Sequence, residues 1–263
     1  MISVLHLGTI DYATGLRLQQ RLVDLRKQTR ISDVLLLLEH PPVITLGRNA
    51  KAANVVASAD ELAQRGVEVF ECDRGGDVTF HGPGQLVAYP VFDLHGFASQ
   101  KTPGRTLGAV EFVRQLEQVL INTCAEYDIA TERVPGHTGV WTRHADQAGV
   151  QSKIAAIGVH ISRGVTSHGL ALNVNTDLAY FSLIVPCGIA SKPVTSMQKE
   201  LGRAPLAMNF VADTLARHFG AVFGRLIVQV ESLDSLMVSP EDLPMKPPSD
   251  LRRISGEEEI FWA

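Results

Sequence analysis

The sequence predicts a single α+β domain, a mixed sheet flanked by helices. Two observations lead there. Strand-like and helix-like segments follow one another without a linker from residue 11 to about residue 225. No repeat or low-complexity tract divides the chain, and its 263 residues are enough to bury a sizeable core.

The elements follow in order. Asp11 is placed to cap a helix that carries Leu18, Leu22 and Leu25 on one face. Val34 to Leu38 is an unbroken aliphatic run and reads as a buried strand. His40, Pro41 and Pro42 interrupt it, and extended character resumes from Val43 to Leu46. Ser58 and Glu61 have capping-box spacing, so a short helix runs to about Arg65 and ends at Gly66. Val67 to Cys72 is β-rich. Arg74 to Gln85 holds four glycines and a proline, and reads as a loop or a sharply bent strand. Leu86 to Phe92 is a further strand.

Val113, Leu116, Leu120, Cys124 and Tyr127 share one helical face. Lys153 to Ile161 and Val165 to Asn175 are strand-like and close enough to form a hairpin around Arg163. Thr176 or Asp177 caps a short helix before Pro186. Another helix follows Pro193 and stops near Gly202. Phe210, Leu215, Phe219 and Val222 define a last amphipathic helix. Ser239 to Asp250 contains four prolines and is irregular.

Composition narrows the function. With 24 basic and 28 acidic side chains the formal charge is −4, unlike the basic field of a nucleic-acid binder. Met1 to Ile10 lacks the cationic start of a signal peptide, and no apolar run is long enough to span a membrane. Cys72, Cys124 and Cys187 are odd in number and widely spaced, which fits free thiols in a reducing cytoplasm rather than a disulfide frame or a zinc site.

Four segments stand out chemically. Glycines in Arg74 to Gln85 let backbone N–H groups approach a ligand, with Arg74, Thr79, His81 and Gln85 crowded beside them; a tight structural loop is the plainer reading. Cys187, between Pro186 and Gly188, sits on constrained backbone where flanking amides can meet an oxyanion, although most free cysteines are small core residues. Cys124, on an apolar helical face, is such a core residue. Lys153 opens a strand, where a lysine is ordinarily a solvated charge. In Ser167 to Asn175, alternation puts His168, Leu170, Leu172 and Val174 on one face. Gly169 and Ala171 share the other, leaving room for a ligand or for a neighbouring element.

Together these segments resemble the lipoyl(octanoyl) transferases. The likeness is carried by R-G-G-x-V-T-F-H-G-P-G-Q at 74–85, K-I-A-A-I-G-V at 153–159, H-G-x-A-L-N-V-N-T-D-L at 168–178 and I-V-P-C-G-I at 184–189. His40 to Arg48 and Thr138 to Trp141 also match, in the family's order. The resemblance implies the fold of the biotin and lipoate protein ligases, a catalytic domain over 1–225 and a partly irregular C-terminal extension over 226–263. It implies Cys187 as nucleophile and Lys153 as its partner. The implied acyl-binding residues are Arg74, Gly75, Gly76, Asp77, Val78, Thr79, Phe80, His81, Ala156, Ile157, Gly158, Gly169, Leu170 and Ala171. An enlarged loop at 143–152 and the tail depart from the family's pattern.

The implied reaction moves an octanoyl or lipoyl group from acyl carrier protein, through a Cys187 thioester, to a lysine. The acceptors implied are the lipoyl domains of 2-oxoacid dehydrogenase E2 subunits and the glycine-cleavage H protein. Neither ATP nor a metal is expected, since a thioester already carries an activated acyl group and no phosphate-binding loop motif is present. On that reading Gly169 walls the acyl slot, and enlarging it would shorten the preferred chain. An ATP-dependent lipoate or biotin-type ligase on the same fold is the main alternative. A cysteine hydrolase and a non-catalytic acyl-binding module are the others.

Overall fold

The computed structural model describes residues 1–143, 151–185, 193–202 and 204–236. Cys187, most of the 143–152 loop and the proline-rich tail lie outside them.

The chain starts with β1 (Ile2–Thr9), to which the sequence reading assigns no element. Its first half is buried on both faces between two parallel neighbours, so it lacks the alternation that marks a half-buried strand. Helix α1 (Tyr12–Lys27) follows, capped by the Asp11 carboxylate on the Thr14 amide. Then come β2 (Asp33–Glu39) and β3 (Val43–Leu46). Helix α2 (Ala59–Gln64) is capped by Ser58 as its spacing predicts, and leads to β4 (Glu68–Glu71). The glycine-rich segment contains a strand, β5 (Val78–His81), and runs into β6 (Gln85–Val91).

Helix α3 (Ala109–Glu126) precedes two short strands not foreseen from sequence, β7 (Thr131–Val134) and β8 (His137–Thr142). The expected hairpin is β9 (Lys153–Ser162) and β10 (Val165–Asn173). Asp177 caps a short 3₁₀ turn over Leu178–Leu183. Helix α4 (Met197–Leu201) ends at a left-handed Gly202, and α5 (Met208–Phe223) precedes β11 (Ile227–Gln229).

Among the described residues the main sheet has eight strands in the order β11-β1-β2-β6-β10-β9-β8-β7, and a small sheet has the order β4-β3-β5. Parallel pairing of β1 with β2 and β11 makes the main sheet mixed. Helices α3 and α5 bury one of its faces around Phe92, Phe112 and Phe219. The buried face of α5 is Val211, Leu215 and Phe219. Phe210, placed on that face by the sequence reading, is 65% exposed. Val211 and Leu215 keep the four-residue spacing that seats one stripe on the core, and Phe210 falls just outside it.

Helix α1 covers part of the other face with Leu18, Leu22 and Leu25, and Leu233 and Leu236 join that cluster. The division expected at residue 225 is therefore not a boundary of packing, since β11 pairs with β1 and Leu236 is in the core. No helix among the described residues is long and apolar enough to cross a membrane.

Candidate acyl-binding and catalytic site

Between the main sheet and the glycine-rich segment lies a cavity of about 510 Å³. Its floor is paired strand: Ala156 lies opposite Ala171 and Gly158 opposite Gly169, with Tyr89 alongside on β6. Its roof is Arg74 to Thr79 together with His81. Lys153 stands on one wall with Gly136, His137 and Thr138. Gly158 lies five residues further along β9 from Lys153, about 16 Å in an extended strand. Ala156, Gly158, Gly169 and Ala171 keep the floor of this slot low along that path.

The cavity brings together Arg74, Gly75, Gly76, Asp77, Val78, Thr79, His81, Lys153, Ala156, Ile157, Gly158, Gly169, Leu170 and Ala171. Phe80 is not among the lining residues. It faces the opposite side of β5 and stacks on Tyr180, in a core shared with Phe181. The alternation of a strand between Thr79 and His81 accounts for this. Cys187 cannot be placed, being outside the described residues. The described chain on either side of it is anchored near the slot. The Val185 amide donates to the Asn54 carbonyl, and Pro193 accepts from the Lys153 amide. Asn54 in turn donates to Asp77 of the roof at 2.6 Å.

The small residues also have the structural duty of admitting a neighbouring element. A Cβ on Gly169 would strike the Ala88 carbonyl and Pro90 of β6, and one on Gly158 would lie 2.7 Å from the Gly75 carbonyl oxygen. Gly169 thus serves the close approach of β6 and β10. The expectation that its enlargement would simply shorten the slot is corrected, because a side chain there meets backbone before it meets a ligand.

The roof is held by Arg74, which is buried. Its Nε donates to Thr45 Oγ1 at 3.0 Å, and one Nη donates to the Thr45 carbonyl at 2.6 Å. Lys153 is 8% exposed, and its ammonium stands 4.7 Å from the centre of the Trp141 ring. The wall beside it is fixed by Glu117, a fully buried carboxylate. Glu117 pairs with Arg114 and Arg133 and accepts the Gly139 amide at 3.3 Å.

A buried polar chain connects the roof to Lys153. His81 Nδ1 donates to Gln85 Oε1 at 2.7 Å, Gln85 donates to Asn173, and Asn173 donates to the Thr195 carbonyl. The Thr195 amide then donates to the Lys153 carbonyl. Burial and the neighbouring His40 hold His81 neutral, its pKa pushed down to about 3. His40 is pushed down to about 4, by burial. Its Nδ1 must donate to the Ile10 carbonyl, so Nε2 accepts from the Tyr89 hydroxyl. Burial raises the Tyr89 phenol, which stays protonated.

Of the other thiols, Cys124 is core. Burial pushes its pKa up to about 12, and it is not among the residues that line the slot. Cys72 is half-buried and donates to the Leu46 carbonyl at 3.5 Å. Sequence reasoning missed Tyr12, Tyr89, His40, Asp73 and Glu117. His40 and Asp73 adjoin motifs but carry no role that spacing alone assigns, and all five take their places through tertiary packing. Among the described residues no cluster of His, Cys, Asp and Glu is arranged to hold a metal.

The fold is that of the lipoate protein ligases. A bipartite lipoate protein ligase of Thermoplasma acidophilum superposes with a TM-score of 0.63 at 17% identity, over 88% of this chain and 87% of that one. A lipoate-protein ligase A solved with ATP gives 0.63 at 15% identity, over 88% and 89%. Residues 11–220 match the family described as the lipoyl protein ligase A/B catalytic domain, and the chain belongs to that family. Among its relatives, the octanoyltransferase of Koribacter versatilis is 58% identical over 98% of both chains. That of Acidobacterium capsulatum is 56% identical over 90% of this chain and 96% of its own.

Proposed function

We propose that this chain is an octanoyltransferase of lipoate biosynthesis, working through a thioester on Cys187. The observation that carries the reading is a buried lysine, Lys153, on the wall of a narrow slot, with the chain flanking Cys187 anchored beside it. Relatives of the same name at 58% and 56% identity support the acyl group and the class of reaction.

Thiolate is the attacking form of cysteine, and a neighbouring ammonium favours it. In the first step the Cys187 sulfur bonds to the octanoyl carbonyl carbon of acyl carrier protein. The carbon–sulfur bond to the carrier breaks, and the carrier leaves as a thiol with a proton from the Lys153 ammonium, which leaves Lys153 neutral for the second step. Backbone amides of the glycine-rich segment are the proposed donors to the oxyanion. In the second step an acceptor lysine amine attacks the acyl-Cys187 carbon. The amide forms, the Cys187 thiolate departs, and Lys153 takes the amine's proton as general base. No nucleotide enters this balance.

The slot supports an apolar chain. Each buried methylene contributes about 0.8 kcal/mol, so burial of the octanoyl chain contributes to anchoring the donor. Acceptors on this reading are lipoyl domains, including E2 subunits and the glycine-cleavage H protein, met in the cytoplasm.

The test is transfer from octanoyl-acyl carrier protein to an unmodified lipoyl domain, followed by mass spectrometry. Full turnover without ATP is expected. Transfer that requires ATP and accepts free octanoate would replace this reading with the ligase chemistry known on the same fold.

A further inference from the structure

Four non-glycine residues among those described have positive φ. Thr29 and Asp128 follow helices and Arg163 is in the β9–β10 turn, but His168, at φ 54°, is inside strand β10. A left-handed residue in a strand is costly and persists only where its surroundings fix it. Two contacts fix this one. Its amide leaves the sheet to donate to Gln19 Oε1 on α1 at 2.7 Å, and its ring Nε2 donates to Asp73 Oδ1 at 2.7 Å. His168 lines the slot from the floor. Asp73 is not a lining residue; it immediately precedes the Arg74 roof and also faces His160 at 3.5 Å.

We propose that Asp73 and His168 form a clasp that holds the Arg74–Asp77 roof against the β9–β10 floor and sets the affinity of the slot for the acyl chain. Asp73 is thus a positioning residue. The proposal rests on the slot's acyl-binding role, and it deepens that reading. A second tie runs alongside, the Gly75 amide on the Val159 carbonyl at 3.0 Å. Loss of the clasp therefore loosens the roof without releasing it. Floor and roof then part on the side away from Lys153, where the chain's end would lie, so binding suffers while the reacting groups stay in place.

The variants are Asp73→Ala and His168→Asn. Asparagine tolerates the left-handed backbone but is too short to reach Asp73. Affinity for octanoic acid is measured by calorimetry, and rates of acyl-enzyme formation are measured against octanoyl-acyl carrier protein concentration. Both variants are expected to weaken octanoic acid binding about tenfold and to raise the half-saturating donor concentration equally. For Asp73→Ala the limiting rate should change less than twofold. A wild type that does not bind octanoic acid, or variants that bind it as wild type does whatever their melting temperature, overturns the clasp. A wild type that binds octanoic acid but forms no acyl-enzyme overturns the transferase reading instead, and leaves the clasp to be judged on affinity alone.

Discussion

Lys153→Arg is expected to form the acyl-enzyme and then stall. Arginine keeps the positive charge that favours the Cys187 thiolate, but it does not give up its proton in proteins and so cannot serve as the base of the second step. Transfer to the acceptor should fall by about a thousandfold, within the usual range for removing a general base. Lys153→Met, which removes the charge as well, should slow both steps. Single-turnover mixing with octanoyl-acyl carrier protein, then with lipoyl domain, separates them. Near wild-type transfer by Lys153→Arg would take the base role away from Lys153. The stacking of Lys153 over Trp141 gives either replacement a packed site, so loss of rate can be read apart from loss of fold.

The second large effect is on stability. His40 and His81 are buried and neutral in the fold, with pKa values pushed down to about 4 and about 3. In the unfolded chain each titrates near 6.5. The unfolded state therefore binds more protons, and stability falls as the pH drops below about 6.5, levelling only near the folded values. At pH 5 each histidine is expected to cost about 2 kcal/mol relative to pH 8, a large part of an ordinary domain's stability. His168, also lowered by burial, acts in the same direction. Asp73 and Asp11, whose pKa values are lowered in the fold, lose their contribution only at lower pH, so the range from 8 to 5 isolates the histidines. Urea unfolding at the two pH values is the measurement. Equal stabilities would mean that these rings are not held neutral.

Much of this was legible in the sequence, for reasons that can be named. Helix ends are local chemistry, so Asp11, Ser58 and Gly202 mark their boundaries directly. The β9–β10 hairpin shows because its strands adjoin its turn. Strand β1 is hidden because parallel partners bury both of its faces, and β8 because its short run is broken at Gly139, which has φ 115°. The slot's lining was legible as motifs, down to Arg74 and Lys153. Phe80 was drawn in by a contiguous motif that strand alternation splits. Asp73 was passed over, since a lone carboxylate before an arginine carries no pattern until His168 is seen across from it. Gly169 could be read as space for a ligand or for a neighbouring element, and the structure gives it both places, in the slot's lining and against β6.

The central claim is that the acyl group rests on Cys187 between donor and acceptor. The direct measurement is the intact mass of the protein after incubation with octanoyl-acyl carrier protein alone, beside a Cys187→Ser variant. The account predicts a gain of one octanoyl group in wild type, removed by hydroxylamine and absent from the variant. An octanoyl adduct of equal yield on Cys187→Ser, or none on a wild type that still transfers the group to a lipoyl domain, would contradict it.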